Sequence, residues 1–272
     1  MIKRIYLEIT NSCNLNCSFC EAIKSHDFMS LDKIKKNLDE IKTITDYVYL
    51  HILGEPLSHP FFDEVMNYCD LLSLKVQLVT NGTLLYKFPD ILKHPSLRKL
   101  SVSIHSIDTL NIDDRYFDTI NQLIKTGSDT AIELRFYDIN NLKGKARHYY
   151  DELNTKYSVK LTTKKDSYYI KDNVYIYIQE LFKWPDINDP YISSRGRCYG
   201  ARNMLGIRCN GDVVLCCLDA AGHTTIGNIN EKSLREIINS DKYISIIDNM
   251  KRGVLISPLC QRCTYRLRFD SE

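Results

Sequence analysis

The chain has 272 residues, of which 44% are hydrophobic and 26% charged. This is the balance of an ordinary globular protein with room for one large domain and a small appendage. Its 36 basic and 34 acidic residues give a formal net charge of +2, which argues against a nucleic-acid partner. The N-terminus lacks the apolar stretch of a signal peptide, and no apolar run reaches the length of a membrane span. We therefore expect a cytoplasmic protein without a membrane partner.

Residues 1–163 alternate between strand-like and helix-like segments. The strand-like runs cover residues 4–9, 47–52, 75–79, 100–104, 131–136 and 159–162. Apolar residues at helical spacing follow the N-cap candidate Ser30 and also occupy residues 61–72 and 117–124. Six βα units predict an α/β fold, with a parallel sheet and helices on its outer face. Six units are fewer than the eight of a complete barrel, so we expect a partial one.

Three cysteines follow the first predicted strand. Cys13, Cys17 and Cys20, hereafter the front cysteines, have the spacing C-x3-C-x2-C. A structural zinc site requires four ligands, which His26 could complete, whereas three cysteines suit a [4Fe-4S] cluster with one open iron. A chance triplet is the remaining alternative. The preceding strand and the motifs described below favour the cluster, because barrel sites lie where strands end.

This spacing resembles the signature of the radical SAM enzymes, and the six βα units match the partial (βα)6 barrel of that family. The resemblance implies that the open iron is chelated by the amino and carboxylate groups of S-adenosylmethionine (SAM). It also implies that the reduced cluster cleaves SAM to methionine and a 5′-deoxyadenosyl radical, which abstracts a substrate hydrogen atom. A flavodoxin or ferredoxin would supply the electron.

Gly54, Glu55 and Pro56 follow the second predicted strand. They resemble the G-G-E-P motif of the family, although Leu53 stands where the first glycine is expected, so the match is partial. Glycine permits a close backbone approach, and proline stiffens the following turn. The resemblance implies that Gly54 and Glu55 contact the SAM amino group.

Other SAM contacts are implied by position. Phe19 lies between the last two front cysteines, where the family has an aromatic residue near the adenine; its alternative role is a loop anchor. The resemblance assigns Ser103 and Arg135 to the ribose and carboxylate, and an arginine fork suits a carboxylate. His105 could equally be a core or substrate-side residue. Asn81 is interpreted as a turn residue, with a ligand contact as the lesser alternative.

Residues 164–197 are less regular and are interpreted as a bridge. Tyrosines at alternate positions within it suit a half-buried strand, which favours packing over substrate contact. Beyond the bridge, Asn210-Gly211 separates two strand-like runs and predicts a hairpin in which both turn residues have positive φ. Helical patterns follow from Ser233 and from Asp241.

A second cysteine group lies in this C-terminal region. Cys198, Cys216, Cys260 and Cys263, hereafter the auxiliary cysteines, have the spacing C-x12-G-x4-C followed by C-x2-C, with Gly211 as the glycine. This closely resembles the twitch extension, the shortened form of the SPASM domain, which implies one auxiliary [4Fe-4S] cluster. Four cysteines also suit a tetrahedral zinc site, which is the alternative.

Three of the ten cysteines lie outside both groups. Cys69 falls in a helical pattern and is expected in the core. Cys217 follows Cys216 on a predicted strand, so its side chain should point to the opposite face and be buried and inert. A swapped ligand assignment is the alternative for Cys217, and Cys209 has no assigned role.

The predicted organisation is a radical SAM core over residues 1–163, the bridge over 164–197, and a twitch domain with a β-hairpin and helices over 198–272. The expected function is the dehydrogenation of a small molecule, with the auxiliary cluster accepting an electron. We expect no leader-binding domain ahead of the first strand, and this expectation favours a small molecule or a short peptide. A radical SAM maturase of peptides or proteins is one alternative, and a non-catalytic iron–sulfur electron carrier is another. The sequence identifies no catalytic acid or base.

Overall fold

The computed structural model describes residues 2–21, 26–107, 112–158 and 167–269. The strands are β1 (Arg4–Leu7), β2 (Tyr47–Tyr49), β3 (Lys75–Thr80), β4 (Leu97–Ser103), β5 (Ala131–Tyr137), β6 (Ser167–Lys171), β7 (Val174–Gln179), β8 (Met204–Ile207), β9 (Asp212–Val214) and β10 (Gly227–Asn228). The helices are α1 (Leu31–Lys42), α2 (Phe62–Leu71), α3 (Arg115–Thr126), α4 (Gly144–Tyr157), α5 (Leu234–Ile238) and α6 (Asp241–Lys251). Within these described ranges, no helix combines the length and apolar character needed to cross a membrane.

All ten strands form one sheet in the order β10-β9-β8-β1-β2-β3-β4-β5-β7-β6. The pairs from β8 through β1 to β5 and β7 are parallel, and the outermost strands pair antiparallel. Helices connect the parallel strands as crossovers. This arrangement confirms the predicted α/β fold with a partial barrel.

Strand alternation separates the two faces of the sheet. On β1, Ile5 and Leu7 are completely buried in the hydrophobic core, whereas Arg4 and Tyr6 line an internal cavity. The helices cover the apolar face, and α1 begins as predicted, because the Ser30 hydroxyl accepts a hydrogen bond from the Lys33 N–H at 3.4 Å. The polar face of the strands is thereby left to line the cavity.

The strand beside β5 comes from the segment interpreted as a bridge. The predicted strand at 159–162 lies outside the described residues, and β7 pairs with β5 in parallel. Asp172 and Asn173 join β6 to β7 with φ values of 36° and 62°, the positive pair that a tight hairpin turn requires. Alternating tyrosines had indicated a strand here, but not its place in the sheet. The domain boundary at 163 stays a prediction.

The predicted C-terminal hairpin is present as β8 and β9. Of its two turn residues only Gly211 has a positive φ, of 93°, so the expectation for Asn210 was wrong. The Arg208 carbonyl accepts a hydrogen bond from the Gly211 N–H at 2.8 Å, and one left-handed residue is enough for this turn. Strand β8 also pairs in parallel with β1, which joins the C-terminal region to the barrel sheet. Helices α5 and α6 follow where predicted, the first with a capping box at Ser233.

Candidate functional site

The inner face of the sheet encloses a cavity of about 1070 Å³. Its lining includes every residue that the sequence assigned to a site: Cys13, Cys17, Phe19, Cys20, Gly54, Glu55, Ser103, Arg135, Cys198, Cys216, Cys260 and Cys263. Ligand pockets commonly measure about 300–1,000 Å³, so this cavity has room for a cofactor and a second molecule. The front and auxiliary cysteines therefore open onto one shared space.

The front cysteines lie in a loop between β1 and α1. Cys13 Sγ accepts hydrogen bonds from the Leu15 N–H at 3.4 Å and from Asn81 Nδ2 at 3.8 Å. Burial, together with the neighbouring front cysteines, raises the pKa of Cys17 and of Cys20 to about 11. Mutually repelling thiolates favour a positively charged group between them, so these side chains fit an iron–sulfur cluster.

Gly54 lies against the backbone of the front loop. Its φ is +73°, and a Cβ atom there would lie 2.4 Å from the Thr10 carbonyl oxygen and 2.9 Å from that of Ser12. The Glu55 N–H donates to the same Ser12 carbonyl at 2.8 Å. Glycine is therefore required at 54 by the chain itself, and this contact fixes the G-E-P loop beside the front cysteines.

The Glu55 carboxylate is buried and accepts hydrogen bonds from its own chain. The donors are the Thr80 hydroxyl at 2.7 Å, the Asn81 N–H at 2.7 Å and the Leu57 N–H at 3.1 Å. Burial raises the pKa of this carboxyl and these hydrogen bonds lower it, and the resulting pKa is about 7. Glu55 thus connects the ends of β2 and β3, and its contact with SAM stays a prediction.

Asn81 has the structural role that the sequence favoured. Its side-chain oxygen accepts from the Thr83 N–H at 2.9 Å, which closes a turn, and its amide donates to Asn14 Oδ1 at 3.0 Å. The same amide contacts Cys13, so the end of β3 supports the front loop.

A series of stacked side chains crosses the cavity from the front loop. The Phe19 ring lies 5.3 Å from His105, which stacks on Tyr137 at 4.3 Å between ring centroids. The Arg135 guanidinium lies 4.9 Å from the Tyr137 ring centroid and 5.8 Å from that of Tyr177. Burial lowers the pKa of His105 to about 4, so the imidazole is neutral near pH 7. Phe19 and Arg135, which were both predicted to bind SAM, are thereby connected through the rings of His105 and Tyr137.

Ser103 and Arg135 are cross-strand neighbours on β4 and β5. The Ser103 carbonyl accepts from the Ser106 hydroxyl at 2.6 Å, and Cys17 Sγ lies 3.7 Å from the Ser106 carbonyl. The ends of these two strands are therefore adjacent to the front cysteines. Their roles in binding SAM stay predictions.

The auxiliary cysteines gather although they are far apart in sequence. Burial raises the pKa of Cys216, Cys260 and Cys263, and neighbouring auxiliary cysteines also raise it. Cys198 exerts this effect on all three and therefore lies among them. Cys216 follows the β8–β9 hairpin, and the C-terminal segment supplies the terminal pair. Four thiols so placed fit one auxiliary cluster.

Cys217 was predicted to be buried and to face away from the ligands, and its direction stays a prediction. Strand β9 ends at Val214, so strict alternation does not extend to Cys216 and Cys217, and both line the cavity. Cys217 is hydrogen-bonded to Tyr6, and burial raises the pKa of its thiol to about 11. Cys69 lies in the core, as predicted.

In the parts of the chain that the structure describes, no three Cys, His, Asp or Glu side chains converge on the position of one ion. A [4Fe-4S] cluster binds each thiolate at a different iron, so its ligands are more widely separated than those of one ion. Both cysteine groups accommodate such a cluster.

Known protein families match both regions of the chain. Residues 7–134 match the radical SAM superfamily, and residues 198–264 match SPASM, an iron–sulfur cluster-binding domain. The chain therefore contains a radical SAM domain and, C-terminal to it, a SPASM-type domain, which confirms the family predicted from the sequence. A radical SAM domain binds SAM at a [4Fe-4S] cluster, and a SPASM domain binds auxiliary iron–sulfur clusters.

Curated relatives align over parts of this chain. The AdoMet-dependent heme synthase of Methanosarcina barkeri is 36% identical over 109 residues, which are 38% of this chain and 31% of that protein. The S-adenosylmethionine-dependent nucleotide dehydratase of Selenomonas ruminantium is 29% identical over 114 residues, 41% of each chain. The chain thus spans less than half the length of these relatives.

Solved structures align over nearly the whole chain. BtrN in complex with AdoMet and 2-DOIA matches with a TM-score of 0.59 at 20% identity, covering 97% of this chain and 93% of that one. Streptococcus suis SuiB bound to precursor peptide SuiA matches with a TM-score of 0.60 at 16% identity, covering 98% and 72%. Native anSMEcpe with bound AdoMet and Cp18Cys peptide gives 0.61 at 13% identity, covering 99% and 88%. At these identities the likeness shows a shared fold.

Proposed function

We propose that this protein is a radical SAM oxidoreductase that dehydrogenates a small molecule. The observation that carries the proposal is the single cavity onto which both the front and the auxiliary cysteines open. A substrate in that cavity would be within reach of two redox centres. A cytoplasmic location is part of the proposal, because all ten cysteines are free thiols and that compartment keeps thiols reduced.

In this proposal the front cysteines hold the SAM-binding cluster. When bound, this cofactor pair supplies a 5′-deoxyadenosyl radical that removes a substrate hydrogen atom. Gly54 and Glu55 hold the loop beside the front cysteines, and Phe19, Ser103 and Arg135 contact the adenine, ribose and carboxylate. The chain's own contribution is binding and orientation, together with exclusion of water from a largely buried space.

Dehydrogenation also requires an acceptor for a second electron. The substrate loses one hydrogen atom to the radical, then one electron and one proton. We propose that the auxiliary cysteines hold one [4Fe-4S] cluster that receives this electron. Support comes from their position on the same cavity and from the likeness to BtrN over nearly the full length of both chains.

A second candidate is the modification of a peptide, as in a radical SAM maturase. The structures of SuiB and anSMEcpe with bound peptides share this fold. A cavity of about 1070 Å³ also accommodates a short peptide segment. In this case too, the front cysteines would initiate the chemistry.

Formation of 5′-deoxyadenosine tests the radical SAM activity. Anaerobically reconstituted protein, reduced chemically or by a flavodoxin or ferredoxin, is expected to convert SAM to this product, and the triple Cys13/Cys17/Cys20→Ala variant is not. Cys69→Ala is the matched control, because Cys69 lies in the core away from both groups. A wild-type yield no greater than that without enzyme would identify an electron carrier instead.

The oxidation is tested by separating the two cysteine groups. The Cys260/Cys263→Ala double variant should keep the front cluster and uncoupled SAM cleavage but lose substrate turnover. Circular dichroism must first show that the barrel remains folded, since metal binding stabilises small domains. Normal turnover by the folded variant would rule out the auxiliary cluster as electron acceptor. A product two hydrogen atoms lighter than its substrate would identify dehydrogenation.

A further inference from the structure

Several polar side chains project from β1 and β2 into the cavity. Arg4, Tyr6, Tyr49 and His51 all line it, and so does Arg135 on β5. The Tyr6 ring lies 4.4 Å from the Tyr49 ring and 5.6 Å from His51. The Arg4 guanidinium lies 5.8 Å from the Tyr49 ring centroid and is hydrogen-bonded to that tyrosine. Arg135 acts electrostatically on both His51 and Tyr6, which places it beside the same group.

Positive charge exceeds negative charge in this group. Lys99 forms an ion pair with Glu133 at 2.7 Å, and Arg135 lies farther from the same carboxylate, at 3.6 Å. Among the described residues, no ion pair includes Arg4. The cavity also contains Glu55, whose carboxylate already accepts three hydrogen bonds. One lysine–glutamate pair therefore leaves two guanidinium groups without a full counter-charge.

Hydrogen-bond donors in the group are also unused. Arg4 Nε, Arg135 Nε and His51 Nδ1 are buried, and in the described structure they have no hydrogen-bond partner. A buried polar atom without a partner destabilises the fold, so such atoms usually meet a ligand or water. The Arg4 guanidinium, whose Nε has no hydrogen-bond partner in the described structure, is suited to oxygen atoms that carry negative charge.

We propose that Arg4, together with Tyr6, Tyr49 and His51, binds an oxyanion of the substrate, a carboxylate or a phosphate. This inference rests on the proposed function, because it places the substrate in the same cavity. Arg4 is its principal ligand, and the Tyr6 and Tyr49 hydroxyls lie beside it. The enzyme would accordingly act on an acidic small molecule or on an acidic group of a peptide, and it would discriminate against purely cationic substrates.

Calorimetric titration of the anaerobic holoenzyme, saturated with SAM, tests this site. The probes are inorganic phosphate and acetate, with ethylammonium as the cationic control. We expect one or both anions to bind wild type, and Arg4→Gln to weaken that binding at least 10-fold. The matched control is Arg98→Gln, because Arg98 is an exposed arginine on β4 that does not line the cavity. A preference for phosphate or for acetate distinguishes the two kinds of acidic group.

Several results would overturn the proposal. They are a wild-type protein that binds neither anion, a folded Arg4→Gln variant that binds as well as wild type, and loss of auxiliary iron in that variant. The last result would show that Arg4 balances the charge of the auxiliary cluster. If Arg4→Gln does not fold, Arg4→Lys replaces it, since lysine keeps the charge and loses the planar fork; unchanged binding would then contradict the proposal.

Failure of the proposed function can be distinguished from failure of the oxyanion site. A wild type that forms no 5′-deoxyadenosine would refute radical SAM activity, whatever the anion titrations show. A wild type that forms it without binding either anion would refute only the oxyanion site.

Discussion

The Glu8 carboxylate accepts a hydrogen bond from the Cys209 N–H at 2.9 Å, although 201 residues separate them. Its other oxygen accepts from the Leu53 N–H at 3.1 Å. The side chain is almost fully buried, and burial raises its pKa. One carboxyl group at the end of β1 therefore connects the G-E-P loop to the C-terminal hairpin.

Replacing Glu8 by alanine should destabilise the protein by about 2–4 kcal/mol, because two buried N–H groups would lose their acceptors. The free energy of unfolding, measured anaerobically by urea titration, is the readout. Glu152→Ala on the exposed side of α4 is the control and should have little effect. Equal stability of the two variants would mean that the Glu8 hydrogen bonds contribute nothing net.

Gly54→Ala should be far more harmful than Gly253→Ala. Both glycines have a φ of +73°, but a Cβ at Gly253 has no neighbour closer than 4.0 Å, whereas at Gly54 it would meet the Thr10 carbonyl at 2.4 Å. We expect Gly253→Ala to cost about 1–2 kcal/mol through backbone strain alone. Gly54→Ala should cost more and also reduce the iron content of the front cluster. Similar losses in both variants would contradict the close contact with the front loop.

Cys216→Ala and Cys217→Ala should differ in iron content. Both thiols line the cavity, but only Cys216 has the spacing of a cluster ligand. We expect about eight irons in wild type and in Cys217→Ala, and about four to remain in Cys216→Ala. Iron and acid-labile sulfide assays measure this directly. If iron were lost in Cys217→Ala and kept in Cys216→Ala, Cys217 would be the cluster ligand instead of Cys216.

The stability contributed by Glu55 should depend on pH. Burial raises its pKa from 4.5 to about 7 in the folded protein. A raised carboxyl pKa stabilises the fold below the unfolded value, and this contribution is lost as the pH rises through the folded value. The difference in unfolding free energy between wild type and Glu55→Gln should therefore shrink from about pH 5 to about pH 8. A constant difference would show that Glu55 remains ionised throughout, and Glu152→Gln serves as the control.

The grouping of the front and auxiliary cysteines around one cavity could be predicted in part, because it follows from spacing, which the sequence displays. Residues 13–20 form one loop, so chain geometry alone brings the front cysteines together. The series from Phe19 through His105 and Tyr137 was not predictable, because it depends on the register between β4 and β5. The direction of Cys217 cannot be derived from strand alternation, because β9 ends at Val214. The place of β7 depends on pairing with β5, which its tyrosines do not specify.

The parallel pairing of β8 with β1 has a consequence for folding. Without β8, the backbone groups of β1 on the side away from β2 would form an open edge, and such edges recruit strands from other molecules. The C-terminal region is synthesised last, so a nascent chain carries that edge until Met204–Ile207 emerges. The chain is therefore prone to aggregate during expression until β8 pairs with β1 and covers this edge.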